Sequence, residues 1–189
     1  MSKKHLLVTG GAGFIGSNFV AEIVKDPELV VINLDKLTYA GNLATIAQFA
    51  TNQQHIFVQG DIGDRQLVDS LLAKYQPQAI INFAAETHVD RSIDGPASFI
   101  DTNINGTFNL LESARQYWQQ LPTIARAEFR FLHISTDEVF GSLTASEPAF
   151  TELTPYSPNS PYSASKASSD HLVRAYFHTY NLPDRKSVV

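Results

Sequence analysis

Five short apolar runs rich in β-branched residues punctuate the chain, at His5–Thr9, Leu29–Leu34, His55–Gln59, Ala79–Phe83 and Phe129–Ile134. None alternates cleanly between apolar and polar residues, which is the pattern of strands buried on both faces. Between them the apolar positions recur at helical spacing and predict helices over Phe14–Lys25, Leu43–Ala50, Arg65–Tyr75, Phe99–Gln119 and Pro161–Tyr180. Such alternation predicts an α/β fold, a doubly wound parallel sheet with helices on both faces. Gly141–Pro161 carries Pro148, Pro155, Pro158 and Pro161 among Ser and Thr, so it reads as a loop beyond a strand end. Long loops in compact domains are usually functional.

Composition narrows the classes. A chain of 189 residues, 43% hydrophobic and 17% charged, can bury one sizeable core. A net charge of -5 without any Lys/Arg cluster offers no footprint for nucleic acid. No apolar run approaches membrane-spanning length, and "MSKKHLLVTGG" has too short an apolar core for a signal peptide. A cytoplasmic protein is therefore expected. The absence of cysteine removes disulfides and thiolate metal sites, and the histidines show no ligand spacing, so no metal is expected.

"VTGGAGFIG" follows the first strand and opens the first helix, with Gly10, Gly13 and Gly16 in G-x-x-G-x-x-G spacing. Such glycines allow a tight turn, close approach of backbone to a pyrophosphate, and close helix–strand packing. The helix N-terminus then presents amides to the phosphates. Asp35 ends the second strand about 20 residues further on, where an acid binding the adenosine ribose belongs. Its charge repels a 2′-phosphate, so NAD is expected over NADP. "QGDIGD" puts Asp61 and Ile62 at the third strand end, beside an adenine ring or simply at the start of a turn. Ala84 and Ala85, after the fourth strand, are small enough for a cofactor to lie against them or to serve ordinary packing.

The chemistry gathers later in the chain. "HISTDEVFG" runs a strand into Thr136, Asp137 and Glu138, and "YSASK" places Tyr162 and Lys166 one above the other on a helix face. A Tyr beside an ammonium has its phenolate favoured and can act as a base nearer neutral pH. Thr136, Tyr162 and Lys166 thus make a set able to take a proton from an alcohol while hydride leaves for NAD.

At these residues the chain resembles the extended short-chain dehydrogenase/reductase superfamily and, within it, the dTDP-glucose 4,6-dehydratases. The resemblance rests on "TGGAGFIGS", "LDKLTYAGN", "GDI", "AAETHVDRSI", "TNINGT", "HISTDEVFG" and "SPYSASKASSDHLVRAY". It implies a Rossmann-type domain over residues 1–182 with NAD held by Phe14, Ile15, Asp35, Lys36, Leu37, Thr38, Asp61, Ile62, Phe83, Ala84, Ala85 and Thr102, and Thr87 near the sugar. It also implies that Tyr162 takes the sugar 4-hydroxyl proton, Thr136 holds that hydroxyl, Glu138 removes the C5 proton and Asp137 protonates the departing 6-hydroxyl. Neighbours along a strand point to opposite sides, so the chain must turn at Asp137 for both acids to reach one sugar. Sugar-nucleotide epimerases and other sugar-nucleotide dehydratases of the same fold are the alternatives; Asp137 and Glu138 count against the first. A non-catalytic NAD-binding fragment is the alternative of another class. A homodimer through the helices 99–119 and 161–180 is the further implication, from Phe108, Leu110, Leu111, Tyr117, Trp118, Leu172, Val173, Tyr176 and Phe177. Two departures stand out: Phe140 replaces the usual Tyr, and "DRKSVV" stands where the family continues into a sixth strand and a sugar-nucleotide-binding region. Residues 183–189 are accordingly expected to be a divergent tail of a truncated chain that binds NAD without turnover.

Overall fold

The computed structural model describes residues 3–188. Six strands form one sheet: β1 (Lys4–Thr9), β2 (Leu29–Asp35), β3 (His55–Gln59), β4 (Ala79–Asn82), β5 (Arg130–Ser135) and β6 (Asp184–Val188). Their order is β3-β2-β1-β4-β5-β6 and the pairings are parallel. Five of these are the predicted strands, shifted by a residue or two at their ends. The sixth corrects the expectation of a tail: residues 184–188 pair with β5 from Phe131↔Asp184 to Ser135↔Val188. An edge strand is held by backbone bonds on one side, so "DRKSV" needs no apolar pattern to form it.

Around the sheet lie α1 (Phe14–Ile23), α2 (Leu43–Ile46), α3 (Arg65–Tyr75), α4 (Val89–Asp94), α5 (Ala97–Phe99), α6 (Thr107–Gln120), α7 (Thr123–Glu128) and α8 (Pro161–Tyr180). Successive strand residues face opposite sides. Leu7 and Ile80 join one core while Val8 and Ile81 join the other. The first core gathers Leu72 of α3, Leu110 and Leu111 of α6, and Val173 and Tyr176 of α8. The second gathers Val20 of α1 with Ile46 and Phe49. Of the residues named for a homodimer, Leu110, Leu111, Val173 and Tyr176 are buried in the chain's own core, while Phe108 and Phe177 are exposed.

Two local structures aim the site. Helix α8 starts with a reciprocal cap, in which the Ser160 hydroxyl accepts from the Ser163 amide and the Ser163 hydroxyl accepts from the Ser160 amide, both at 3.0 Å. Pro161 occupies the first helical position, and Tyr162 is thereby fixed in the first turn. The predicted helix over 99–119 is instead α5, a π turn over Ile100–Gly106, and α6. Such turns hold an extra residue and often accompany functional sites. Here the turn carries buried Asn103, whose Oδ1 accepts from the Glu86 amide (2.8 Å) and whose Nδ2 donates to the Ser165 hydroxyl (2.8 Å) and the Glu86 carbonyl (3.0 Å).

Candidate active site

Strand order reverses between β1 and β4, and ligands in open α/β sheets bind at the carboxyl ends beside such a reversal. A cavity of about 600 Å³ opens there. Its lining includes Gly10, Gly13, Phe14, Ile15 and Gly16 at one end and Thr136, Tyr162 and Lys166 at the other. Asp35, Lys36, Thr38, Asp61, Ile62, Phe83, Ala84, Ala85, Thr87 and Thr102 also line it. The structure therefore brings most sequence-predicted residues to one place. Leu37 is an exception: its side chain packs against the second core, and its amide donates to Asp35 Oδ1 at 2.8 Å. Asp137 and Glu138 do not line the cavity; they begin a 3-10 turn, Asp137–Phe140, just past Thr136.

At the glycine-rich end the fit is set by backbone. Gly10 has φ +70, and a Cβ there would lie 2.6 Å from the Ala84 amide nitrogen. A Cβ on Gly16 would lie 2.2 Å from the Gly10 carbonyl oxygen. The two glycines let the loop, β4 and α1 close on one another. Helix α1 begins at Gly13 with no side chain capping it and no acid in its first turn. Its first amides have no intrahelical partners and face the cavity end lined by Phe14 and Ile15, which suits an anionic group. Asp35 is buried, and its Oδ2 accepts from the Ala12 amide at 2.8 Å. One carboxylate thus ties the glycine loop to the chain leaving β2, while its remaining lone pairs can accept ribose hydroxyls. Beside it Lys36 pairs with Asp61 at 2.6 Å. Burial pushes the Asp61 carboxyl up, but the Lys36 bond and the Gly63 amide together bring it below its ordinary value. Asp61 both starts a turn and lines the cavity.

The chemical end is built from β5 and α8. Thr136 leaves β5 extended, and its hydroxyl accepts from the Glu138 amide at 3.3 Å as the chain turns at Asp137. Asp137 is exposed and Glu138 half-buried. Burial, then the neighbouring Asp137 charge, raises the Glu138 carboxyl. Thr136 and Tyr162 line the cavity together. Lys166 is 4% exposed and donates from Nζ to the Ile134 carbonyl at 2.7 Å. Burial pushes its ammonium down to about 8. The expectation that Tyr162 is easily ionised is corrected: burial, and after it the charges of Glu138, Asp137 and Asp170, raise its phenol despite the neighbouring Thr136 hydroxyl. The ammonium is directed to a backbone carbonyl, and burial dominates the environment of the phenol.

Sequence reasoning missed Tyr39, Glu86 and His88, which line the same cavity. Tyr39 stacks under the Arg91 guanidinium at 3.7 Å, bridging the segment after β2 to α4 after β4. Their position just beyond strand ends was the available signal. Among the described residues no group of His, Cys, Asp and Glu could hold a metal ion, and no helix is long and apolar enough to cross a membrane.

With this geometry in hand, comparison with known proteins is specific. The family model for GDP-mannose 4,6 dehydratase matches residues 7–188. The dTDP-glucose 4,6-dehydratase of Xanthomonas campestris pv. campestris is 64% identical over 177 residues, covering 94% of this chain and 50% of that protein. The Neisseria gonorrhoeae protein of the same name is 58% identical over 181 residues, covering 96% and 52%. Among solved structures, the dTDP-glucose 4,6-dehydratase of Streptomyces venezuelae with NAD bound has a TM-score of 0.87 at 46% identity, covering 97% of this chain and 55% of that one. A UDP-glucose 4-epimerase from Brucella ovis in complex with NAD has a TM-score of 0.82 at 26% identity, covering 98% and 51%. The chain spans about half the length of the curated relatives it matches.

Proposed function

The chain belongs to the GDP-mannose 4,6 dehydratase family, and on that premise we propose that it is the NAD-binding, proton-handling half of a lyase that dehydrates dTDP-glucose to the 4-keto-6-deoxy sugar nucleotide. The observation that carries this reading is the single cavity joining the glycine-rich end to Thr136, Tyr162 and Lys166, with Asp137 and Glu138 on the turn leaving it. Gly10, Gly13, Gly16 and the first turn of α1 hold the pyrophosphate of NAD, and Asp35 the adenosine ribose. Lys36, Thr38, Asp61 and Ile62 surround the adenosine; Phe83, Ala84, Ala85 and Thr102 lie along the remainder. NAD, when bound, supplies the hydride acceptor for oxidation at C4 and the donor for reduction at C6.

The protein's own groups handle the protons. Thr136 orients the 4-hydroxyl and Tyr162 removes its proton, with the Lys166 ammonium one helical turn away on the same face. Glu138, whose raised carboxyl suits a base nearer neutrality, removes the C5 proton, and Asp137 protonates the departing 6-hydroxyl. Thr87 lies on the sugar side. Paired carboxylates favour dehydration over epimerisation, which needs neither an acid nor a base at C5 and C6. We place the protein in the cytoplasm, and assign a homodimer formed by α6 and α8, where Phe108, Phe177 and Tyr180 are exposed.

The test joins this chain to the remaining half of the Xanthomonas campestris relative. Glu138→Gln should oxidise C4 and accumulate reduced nicotinamide absorbance in a single turnover, whereas Tyr162→Phe should give none; general acid–base groups contribute about 10²–10⁴-fold. The reverse pattern would sink the assignment. The 189-residue chain alone should bind NAD, measurable by calorimetry, without turnover.

A further inference from the structure

Behind the Tyr162–Lys166 pair lies a buried acid that the cavity does not expose. Asp170 is 4% exposed and sits one helical turn beyond Lys166 on α8, so the two side chains share a face. Its Oδ2 accepts from the Ser135 hydroxyl at the end of β5 (2.6 Å) and from the Tyr156 phenol in the Pro-rich loop (2.8 Å). Its Oδ1 lies 3.6 Å from His133 Nε2. Helix, strand end and loop therefore converge on one carboxylate. Burying a charge is unfavourable by several kcal/mol unless it is hydrogen-bonded and near an opposite charge, and Asp170 accepts two hydrogen bonds and faces His133.

Resting on the reading of Tyr162 and Lys166 as the proton-handling pair, we propose that Asp170 is their positioning residue: the buried counter-charge that keeps Lys166 protonated, and the anchor that fixes the end of β5 and the loop over residues 141–160 against α8. The carbonyl that Lys166 binds offers one dipole, which offsets only part of the hydration lost by a buried ammonium. Burial drives Lys166 down, and Asp170 is the charge acting against that fall. The ionisable groups around Asp170 are His133 from β5, Tyr156 from the loop, and Lys166, Tyr162 and Arg174 on α8, with Asp137 and Glu138 beyond Tyr162. Lys166 is buried on the same helix face as Asp170, one turn away, and His133 faces the same carboxylate from β5.

Asp170 also explains why Tyr156 lies where it does. The loop carries its phenol to Asp170, sets Tyr156 edge-to-face with Phe140 at 5.4 Å between ring centroids, and bonds the Ser157 amide to the Val139 carbonyl at 2.9 Å. The turn bearing Asp137 and Glu138 is thereby clamped from behind.

The experiment is a carbon-13 NMR titration of lysine-labelled 189-residue chain, with the Lys166 signal assigned by Lys166→Arg. Wild type should show a Lys166 midpoint near 8. Folded Asp170→Asn should move it down by about one unit or more, the usual effect of losing a close opposite charge. Tyr156→Phe, which keeps the charge, should leave the midpoint in place while speeding amide exchange in the loop. An unmoved midpoint in Asp170→Asn, or an equal fall in Tyr156→Phe, overturns the counter-charge role. So does a wild-type midpoint below about 7, a result that stands even if the Asn variant does not fold. NAD affinity measured on the same samples separates the two readings: failure of the wild type to bind NAD overturns the site assignment, while the Lys166 midpoint decides the role of Asp170.

Discussion

The two ends of the cavity solve different physical problems. The glycine-rich end is made of backbone, small residues and a carboxylate, Asp35, whose oxygens accept amide hydrogens. The α8 end is made of buried ionisable groups, with Tyr162 raised, Lys166 lowered and Glu138 raised. Shape governs the first and charge the second. Substitutions at the first should therefore act at every pH, whereas those at the second should act through pH.

Four substitutions probe that division. The largest effect is expected at Gly16, where a new Cβ meets the Gly10 carbonyl at 2.2 Å and backbone cannot swing aside. Overpacking of this kind is unfavourable by about 3 kcal/mol, so Gly16→Ala should lose more than about 100-fold in NAD affinity by calorimetry. Gly13→Ala, whose Cβ would stop 3.3 Å from the same carbonyl, should lose far less. Equal losses would show that shape is not what governs this end.

Next comes Lys166→Met. Lys166 falls from 10.5 to about 8 on folding. Its folded value is depressed, so between about 8 and 10.5 the unfolded chain holds more protons and wild-type stability rises with pH. Below that window the penalty is fully present. Allowing for the lost bond to Ile134, Lys166→Met should stabilise the chain by about 2 kcal/mol at pH 7, an advantage that closes above pH 10 in urea unfolding. A constant difference across pH would remove charge from the explanation.

The smallest effect is expected at Glu138. Its folded carboxyl is raised by burial and then by Asp137, so stability declines as pH rises from its ordinary value of 4.5 through the folded one. Glu138→Gln should be slightly more stable than wild type at pH 7 and equal to it at pH 3. Thermal unfolding at both pH values decides it.

The sheet was legible because strands buried on both faces declare themselves by continuous apolar runs, and the glycine-rich turn because its steric demands leave few residue choices. The edge strand β6 was not, since an edge is held by backbone whatever its side chains. Tyr39, Glu86 and His88 escaped notice because a cavity gathers residues from unconnected strand ends, and their chemistry alone is ordinary. Tyr162 was found by spacing, yet its ionisation was misjudged. Helical spacing places Lys166 near it but cannot show that the ammonium binds Ile134, or that the phenol is buried. Asp170 was invisible for the same reason: "SSDH" is unremarkable until Ser135 and Tyr156 meet it.

The π turn over Ile100–Gly106 is, in genetic terms, an insertion that the helix has absorbed without expelling. Removing one residue from it would let backbone bonding close into an uninterrupted α-helix, so the deletion would leave no gap. Everything on the α5 side would instead rotate by about 100° and advance by about 1.5 Å relative to α6. Asn103 would leave both Glu86 and Ser165, and with them the wall of the cavity next to Thr102. Single-codon deletions across this segment would thus separate two properties that substitutions keep mixed: a helix that still forms, and a site that no longer does.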